Sequence, residues 1–262
     1  MATPDRPGAF LENLTWPEAK VLFDAGAVVV VPIGAAAKEH GPHLPLGTDN
    51  VIAAAMARAG AVQLEAAGRP AIVLPPLPFT AAPFGANFPG TLSISAGTVT
   101  ALVIDLAREL TRQEFAALAI ANAHLDPAHL AALQAAVDDA RANGLLPVVF
   151  PDLSRKPWAL RLTDEFKTGA CHAGRYEGSV VLAERPDLVR NDVLASLPPN
   201  PASLATAIRE GARSFEQAGG ARAYFGWPAE ATAAEGRETI ETLGAILADA
   251  VAGALAPARG TT

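Results

Sequence analysis

From Ala27 to Ile33 the chain runs apolar without a polar break and is rich in β-branched residues. A strand with no alternation is one buried on both faces. Shorter runs of the same kind recur at Ala71 to Leu74, Ala116 to Ala121 and Leu146 to Phe150. Between them the apolar spacing lengthens to that of a helix, at Asn50 to Ala67, Val99 to Arg112 and Pro127 to Ala142, the last closed by Asn143-Gly144. Ahead of the first strand, Thr15-Trp16-Pro17-Glu18 writes a helix start in which Thr15 and Glu18 satisfy each other's free backbone donors, and this helix ends near Gly26. Strand and helix alternating four times predict an α/β fold with a mostly parallel sheet wrapped by helices. The Pro-rich stretches Pro75 to Pro89 and Pro198 to Pro201 read as long connections. The alanine-rich stretches keep helical spacing and read as tightly packed helices.

Composition narrows the class. At 262 residues, 50% hydrophobic and 18% charged, the chain has the length of one ordinary globular domain, 1–262, able to bury a sizeable core without staples. One cysteine, Cys171, forms no internal disulfide, which fits a reducing cytoplasm. A net charge of −7 with no basic run argues against nucleic acid or an anionic membrane surface as partner. MATPDRPGAF has neither the basic patch nor the apolar stretch of an export signal, and no apolar run approaches the roughly 20 residues that a bilayer demands. A cytoplasmic protein acting on a small molecule is the expectation.

Ligands of α/β sheets bind beyond the carboxyl ends of the strands, so the strand exits are where chemistry is expected. The first exit carries Lys38, Glu39, His40, His43 and Asp49, in a chain with five histidines. The third carries His124 and Asp126, which an extended segment points to the same side. Mixed imidazole and carboxylate ligation suits zinc, manganese or iron(II), and a carboxylate such as Asp49 can bridge two ions. Asp126 also reads as the N-cap of the helix that Pro127 opens. His43 and His129 read as structural.

The stretch Pro32-Ile33-Gly34 through His40-Gly41-Pro42-His43-Leu44-Pro45-Leu46-Gly47-Thr48-Asp49 resembles the signature of the creatininase family of metal-dependent amidohydrolases. Phe88-Pro89-Gly90-Thr91-Leu92-Ser93, Asn122-Ala123-His124, His172-Ala173-Gly174 with Glu177 and Ser179, and Gly226 with Pro228, Ala231-Thr232 and Gly236 follow in the family's order. The resemblance implies a single three-layer α/β/α domain, assembly as a homo-oligomer (often a hexamer), and one or two divalent ions. By position it makes His40, Asp49 and His124 metal ligands, with Asp49 bridging and Asp126 completing a two-ion set. It places His172 beside the substrate as the proton-handling residue, with Glu177 in the same catalytic stretch.

Departures from the family pattern are as informative. The place of the family's leading glutamate holds Lys38, with Glu39 next to it, and Gly34 to His40 is one residue longer than usual. A bulge would turn Glu39 toward the metal as a ligand. Otherwise Lys38 takes the first ion's place, facing the substrate, and leaves one ion. The tryptophan that packs on creatinine is missing, since Lys167-Thr168-Gly169-Ala170-Cys171 fills that stretch, which implies a substrate other than creatinine. Trp158 is then the nearest aromatic wall for a substrate, with Cys171 lining the same region and not acting as a nucleophile. The reaction implied is hydrolysis of a C–N bond in a small cyclic or formyl amide by metal-activated water, with His172 giving a proton to the leaving nitrogen. Other family members trim a peptide or cleave a cyclic ketone, and a non-catalytic paralogue keeping a structural ion is the rival. A serine hydrolase is excluded on this sheet by the lack of Gly-x-Ser-x-Gly, and no Walker or dinucleotide loop is present.

Overall fold

The computed structural model describes residues 8–35 and 38–256. Helix α1 (Trp16–Asp24) begins with the Thr15/Glu18 box closed in both directions and gives way to strand β1 (Val28–Ile33), all six residues buried. Helix α2 (Thr48–Ala66), strand β2 (Ala71–Val73), helix α3 (Ala96–Arg112), strand β3 (Ala117–Asn122), helix α4 (Pro127–Ala142) and strand β4 (Val148–Val149) follow. The strand expected over Leu146 to Phe150 thus shrinks to two residues, whereas the helix Pro127 to Ala142 has the bounds that its cap, its proline and Gly144 (φ +65°) dictate.

All strands are parallel, in the order β2-β1-β3-β4. The chain moves one way from β1 to β2 and the other way from β3 to β4. Right-handed crossovers therefore put α2 on one face and α4 on the other. Helix α3 packs with α4, and the long helix α9 (Ala233–Ala254) lies along α2 and also meets β3 and β4. The result is the expected three-layer α/β/α arrangement, with β1 and β3 as the central pair. Their carboxyl ends adjoin where the strand order reverses, and such a crevice is where ligands of this fold class bind.

Between β4 and α9 the chain forms the short helices α5 (Asp164–Thr168), α6 (Arg175–Glu184), α7 (Asn191–Ser196) and α8 (Leu204–Arg209). This segment supplies a second wall over the sheet end, where its Phe215 and Phe225 share an apolar cluster with Phe84 from the connection between β2 and α3. Among the described residues no helix is long and apolar enough to cross a membrane.

Candidate metal centre and substrate cavity

Asp49 stands in the first turn of α2, where the helix N-terminus favours a carboxylate. It comes close to the exit of β1 because residue 34 is glycine: a Cβ there would lie 2.5 Å from the Asp49 carbonyl carbon and 2.6 Å from the Asn50 amide nitrogen. The two carboxylate oxygens meet two imidazoles. His40 Nε2 lies 2.9 Å from Oδ1, and His124 Nδ1 lies 3.0 Å from Oδ2.

The far nitrogens of both rings are tied to backbone. His40 Nδ1 donates to the Lys38 carbonyl at 3.1 Å and His124 Nε2 to the Ala81 carbonyl at 3.0 Å. With its outer nitrogen so engaged, a ring in its neutral form presents a lone pair toward Asp49, an arrangement that a shared cation would satisfy. Metal-ligating histidines are oriented in this way. His124 Nδ1 and Asp49 Oδ2 are buried with no hydrogen-bond partner, which fits a site completed by a metal ion. His124 owes its position to Asn122, whose amide donates to the His124 carbonyl at 2.8 Å and whose oxygen accepts from His129 Nε2 at 2.9 Å. His129 hydrogen-bonds the Thr80 hydroxyl through its other nitrogen, so it is structural as expected.

The remaining groups converge from opposite ends of the sequence. Glu177, in the first turn of α6, accepts from the Ala173 amide at 2.7 Å and brings Oε2 to 3.7 Å from His40 Nε2 and 3.8 Å from His172 Nδ1. His40, His172 and Glu177 together form a cluster able to hold an ion. Lys38 is buried with its Nζ 3.4 Å from His172 Nδ1 and 3.8 Å from Asp49 Oδ2. His172 stacks on Phe215, ring centroids 4.3 Å apart and planes 9° from parallel.

Burial by itself would raise the Asp49 carboxyl. The Lys38 charge, then the two histidines, outweigh it and hold Asp49 well below the ordinary carboxylate range. Burial pushes Glu177 up to about 7, and burial with the Lys38 and His40 charges pulls His172 well below the usual histidine range.

Several expected residues stand elsewhere. Glu39 does not reach Asp49. Its Oε2 accepts from the Thr91 hydroxyl at 2.6 Å, it fills the space left by Gly85, and its Oε1 lies 3.7 Å from His172 Nε2. The bulge proposed to turn it inward falls partly on residues 36–37, outside the described residues, and Glu39 itself faces the outer side of His172. Asp126 is the N-cap: Oδ1 accepts from the Ala128 amide and Oδ2 from the Phe84 amide, both at 2.9 Å. Trp158 does not line the cavity, since it packs on the core with the Arg161 guanidinium over its ring. The aromatic walls are Phe84, Phe166 and Phe215 instead. Cys171 does line it, and burial with the charges of Glu177 and Glu165 pushes its thiol up. His43 is buried edge-on to Tyr224, and burial with the His40 charge holds it down to about 4.

Lys38, Asp49, His172 and Glu177 close the inner end of a cavity of about 700 Å³. Its walls are mostly apolar, Leu130, Leu160, Leu204 and Ile208 among them, and its exposed charged lining is Lys156, Lys167 and Arg209, all cationic. Phe215 and these outer residues carry no local motif. Only the stretch containing Thr91 had a signal in the sequence.

A family model described as creatininase, creatinine amidohydrolase, matches residues 12–251. The chain is 33% identical over 234 residues to the mycofactocin precursor peptide peptidase of Mycolicibacterium smegmatis, covering 87% of this chain and 85% of that one. It is 29% identical over 206 residues to the creatinine amidohydrolase of Pseudomonas putida, covering 72% and 77%. A solved structure described as creatininase Mn superposes with a TM-score of 0.69 at 25% identity, over 95% of this chain and 100% of that one.

Proposed function

This chain belongs to the creatininase family, and from that premise we propose that it is a metal-dependent hydrolase of an amide C–N bond, working at the junction of the β1 and β3 exits. The observation that carries this reading is the pair of buried imidazoles set 2.9 and 3.0 Å from the two oxygens of one carboxylate, with their outer nitrogens tied to backbone carbonyls. His40 and Asp49, with His124 and Glu177 around them, would hold one or two divalent ions of the zinc, manganese or iron(II) kind. When bound, such an ion polarises the amide carbonyl and brings the pKa of water toward neutrality.

The protein's own groups do the rest. The His172 ring takes the proton that the attacking water loses and passes it to the leaving nitrogen, which is a poor leaving group until protonated. Lys38 Nζ, at the inner end of the cavity, faces the negative charge that gathers on the carbonyl oxygen. Phe215 fixes the plane of the His172 ring.

The substrate class follows from the cavity. A small ring amide would leave most of 700 Å³ unfilled, whereas an acyl or peptidyl amide with an apolar body occupies it. The lining cations favour a substrate with an anionic end. The family contains relatives named for a peptide and for a ring amide, so either bond type lies within its chemistry. The test is metal analysis with activity on cyclic, formyl and peptidyl amides. Asp49→Ala is expected to lose most of its metal and at least a hundredfold in turnover. Unchanged metal content would sink the reading.

A further inference from the structure

The two sides of Asp49 differ. On one, Oδ1 meets His40 Nε2 at 2.9 Å, and Glu177 Oε2 lies 3.7 Å from that nitrogen. On the other, Oδ2 meets His124 Nδ1 at 3.0 Å and Lys38 Nζ at 3.8 Å. We infer that the chain binds a single divalent ion, on the His40 side, and that Lys38 fills the His124 side as a built-in cation. The inference rests on the metal-dependent reading above and narrows it to one ion.

Donor count is the first argument. Zinc sites use at least three protein ligands, and the non-haem iron(II) site likewise uses three. On the His40 side, His40 and Glu177 belong to a three-ligand cluster with His172, and Asp49 Oδ1 stands 2.9 Å from His40 Nε2. Among the described residues no three-ligand cluster includes His124. Asp126, two positions along the chain, has each oxygen engaged by a backbone amide. Glu39, the other carboxylate nearby, is turned to Thr91 and Gly85.

Charge is the second. A divalent ion beside His124 Nδ1 and Asp49 Oδ2 would stand next to the Lys38 ammonium in a site with little water to screen the two. Lys38 has no easy retreat. It is 4% exposed, its Nζ is 3.4 Å from His172 Nδ1, and the same Nζ lies 5.4 Å from the centre of the Phe215 ring. Lys38 therefore supplies one fixed positive charge where a second ion would supply two.

The experiment counts ions. Protein loaded with excess Zn²⁺ or Mn²⁺ and then desalted is weighed by native mass spectrometry, with elemental analysis as a cross-check. Wild type is expected to carry one ion per chain. Lys38→Glu, which restores a carboxylate donor and removes the cation, is expected to carry two, and Lys38→Gln to admit a second, weaker one as metal is raised. Two ions in the wild type would overturn the inference while leaving the metal-dependent reading intact, and none would overturn both. A folded Lys38→Glu protein that still holds one ion would show that Lys38 is not the excluding group. Should neither variant fold, the wild-type count alone decides.

Discussion

Glu165 illustrates what a single buried carboxylate can hold in place. Its Oε1 accepts from the amides of Arg175 and Trp227, each at 2.8 Å, and its Oε2 accepts from the amide of Tyr176 at 2.6 Å. It thereby caps α6, the helix that presents Glu177, and pins the loop at Gly226 beside it. Gly174 and Gly226 leave the room: a Cβ on either would come within 2.6 Å of Glu165 Oε1, and Gly226 also sits at φ +74°. Two glycines of the family motif are thus explained by a residue outside it. Burial raises the Glu165 carboxyl, and its three amide donors act against that rise. Glu165→Ala leaves three backbone donors without their acceptor, at about 1 kcal/mol or more each. Urea unfolding is expected to show a loss of at least about 3 kcal/mol, and a loss below about 1 kcal/mol would contradict the capping role. The sequence marked His40, Asp49, His124 and His172 because histidine is scarce in this chain and these residues sit in recognisable motifs. It did not mark Glu165, Phe215 or the direction of Glu39, because each depends on partners distant in the chain, such as Thr91 for Glu39, Trp227 for Glu165 and His172 for Phe215.

At the level of elements, the first 150 residues were the legible part. Four β-branched runs became four parallel strands, and three of the helices fell within a few residues of their expected ends. The segment from 151 to 232 was not legible, because its helices run 5 to 10 residues and take their shape from contacts over the sheet end. Helix α9 has 22 residues but is rich in alanine and glycine, and so carries weak contrast between its buried and exposed faces. Its packing depends on absent side chains. Gly244 meets Ala59 and Gly60 of α2, and a Cβ on Gly236 would lie 1.9 Å from the Ser179 carbonyl oxygen of α6. Alanine is ordinarily preferred to glycine in a helix by about 1 kcal/mol. Here the sign should depend on position. Gly236→Ala must push α9 off α6, with an overpacking cost of about 1–3 kcal/mol, so a net loss is expected. Gly253→Ala, in the same helix with nothing within 4 Å, is expected to gain up to about 1 kcal/mol. Denaturant midpoints that move in the same direction for both would refute this account of the α6–α9 contact.

Over the whole molecule, charge is distributed against the average. The chain carries −7, yet the exposed charged residues lining the cavity are Lys156, Lys167 and Arg209, and among the described residues only Lys167 has a nearby carboxylate partner, Asp164 at 3.2 Å. Acidic groups are gathered at the inner end, where Asp49, Asp126 and Glu177 face the cavity. A substrate with an anionic tail and a neutral amide head would be held by its tail at the mouth while the amide reaches the inner end. Charges of one sign lining a cleft raise encounter rates, and salt suppresses the effect once the Debye length falls to a few ångströms. For an acylated peptide that ends in a free carboxylate, kcat/KM is expected to fall about tenfold between low salt and roughly 0.5 M salt. The same peptide capped as its C-terminal amide should change little. Arg209→Glu, far along the chain from the metal ligands, should lower kcat/KM for the free carboxylate by about tenfold, chiefly through KM, and leave the capped peptide nearly unaffected. If both peptides respond equally to salt and to the reversal of Arg209, the cations at the mouth do not select for an anionic end, and the specificity must come from the apolar walls alone.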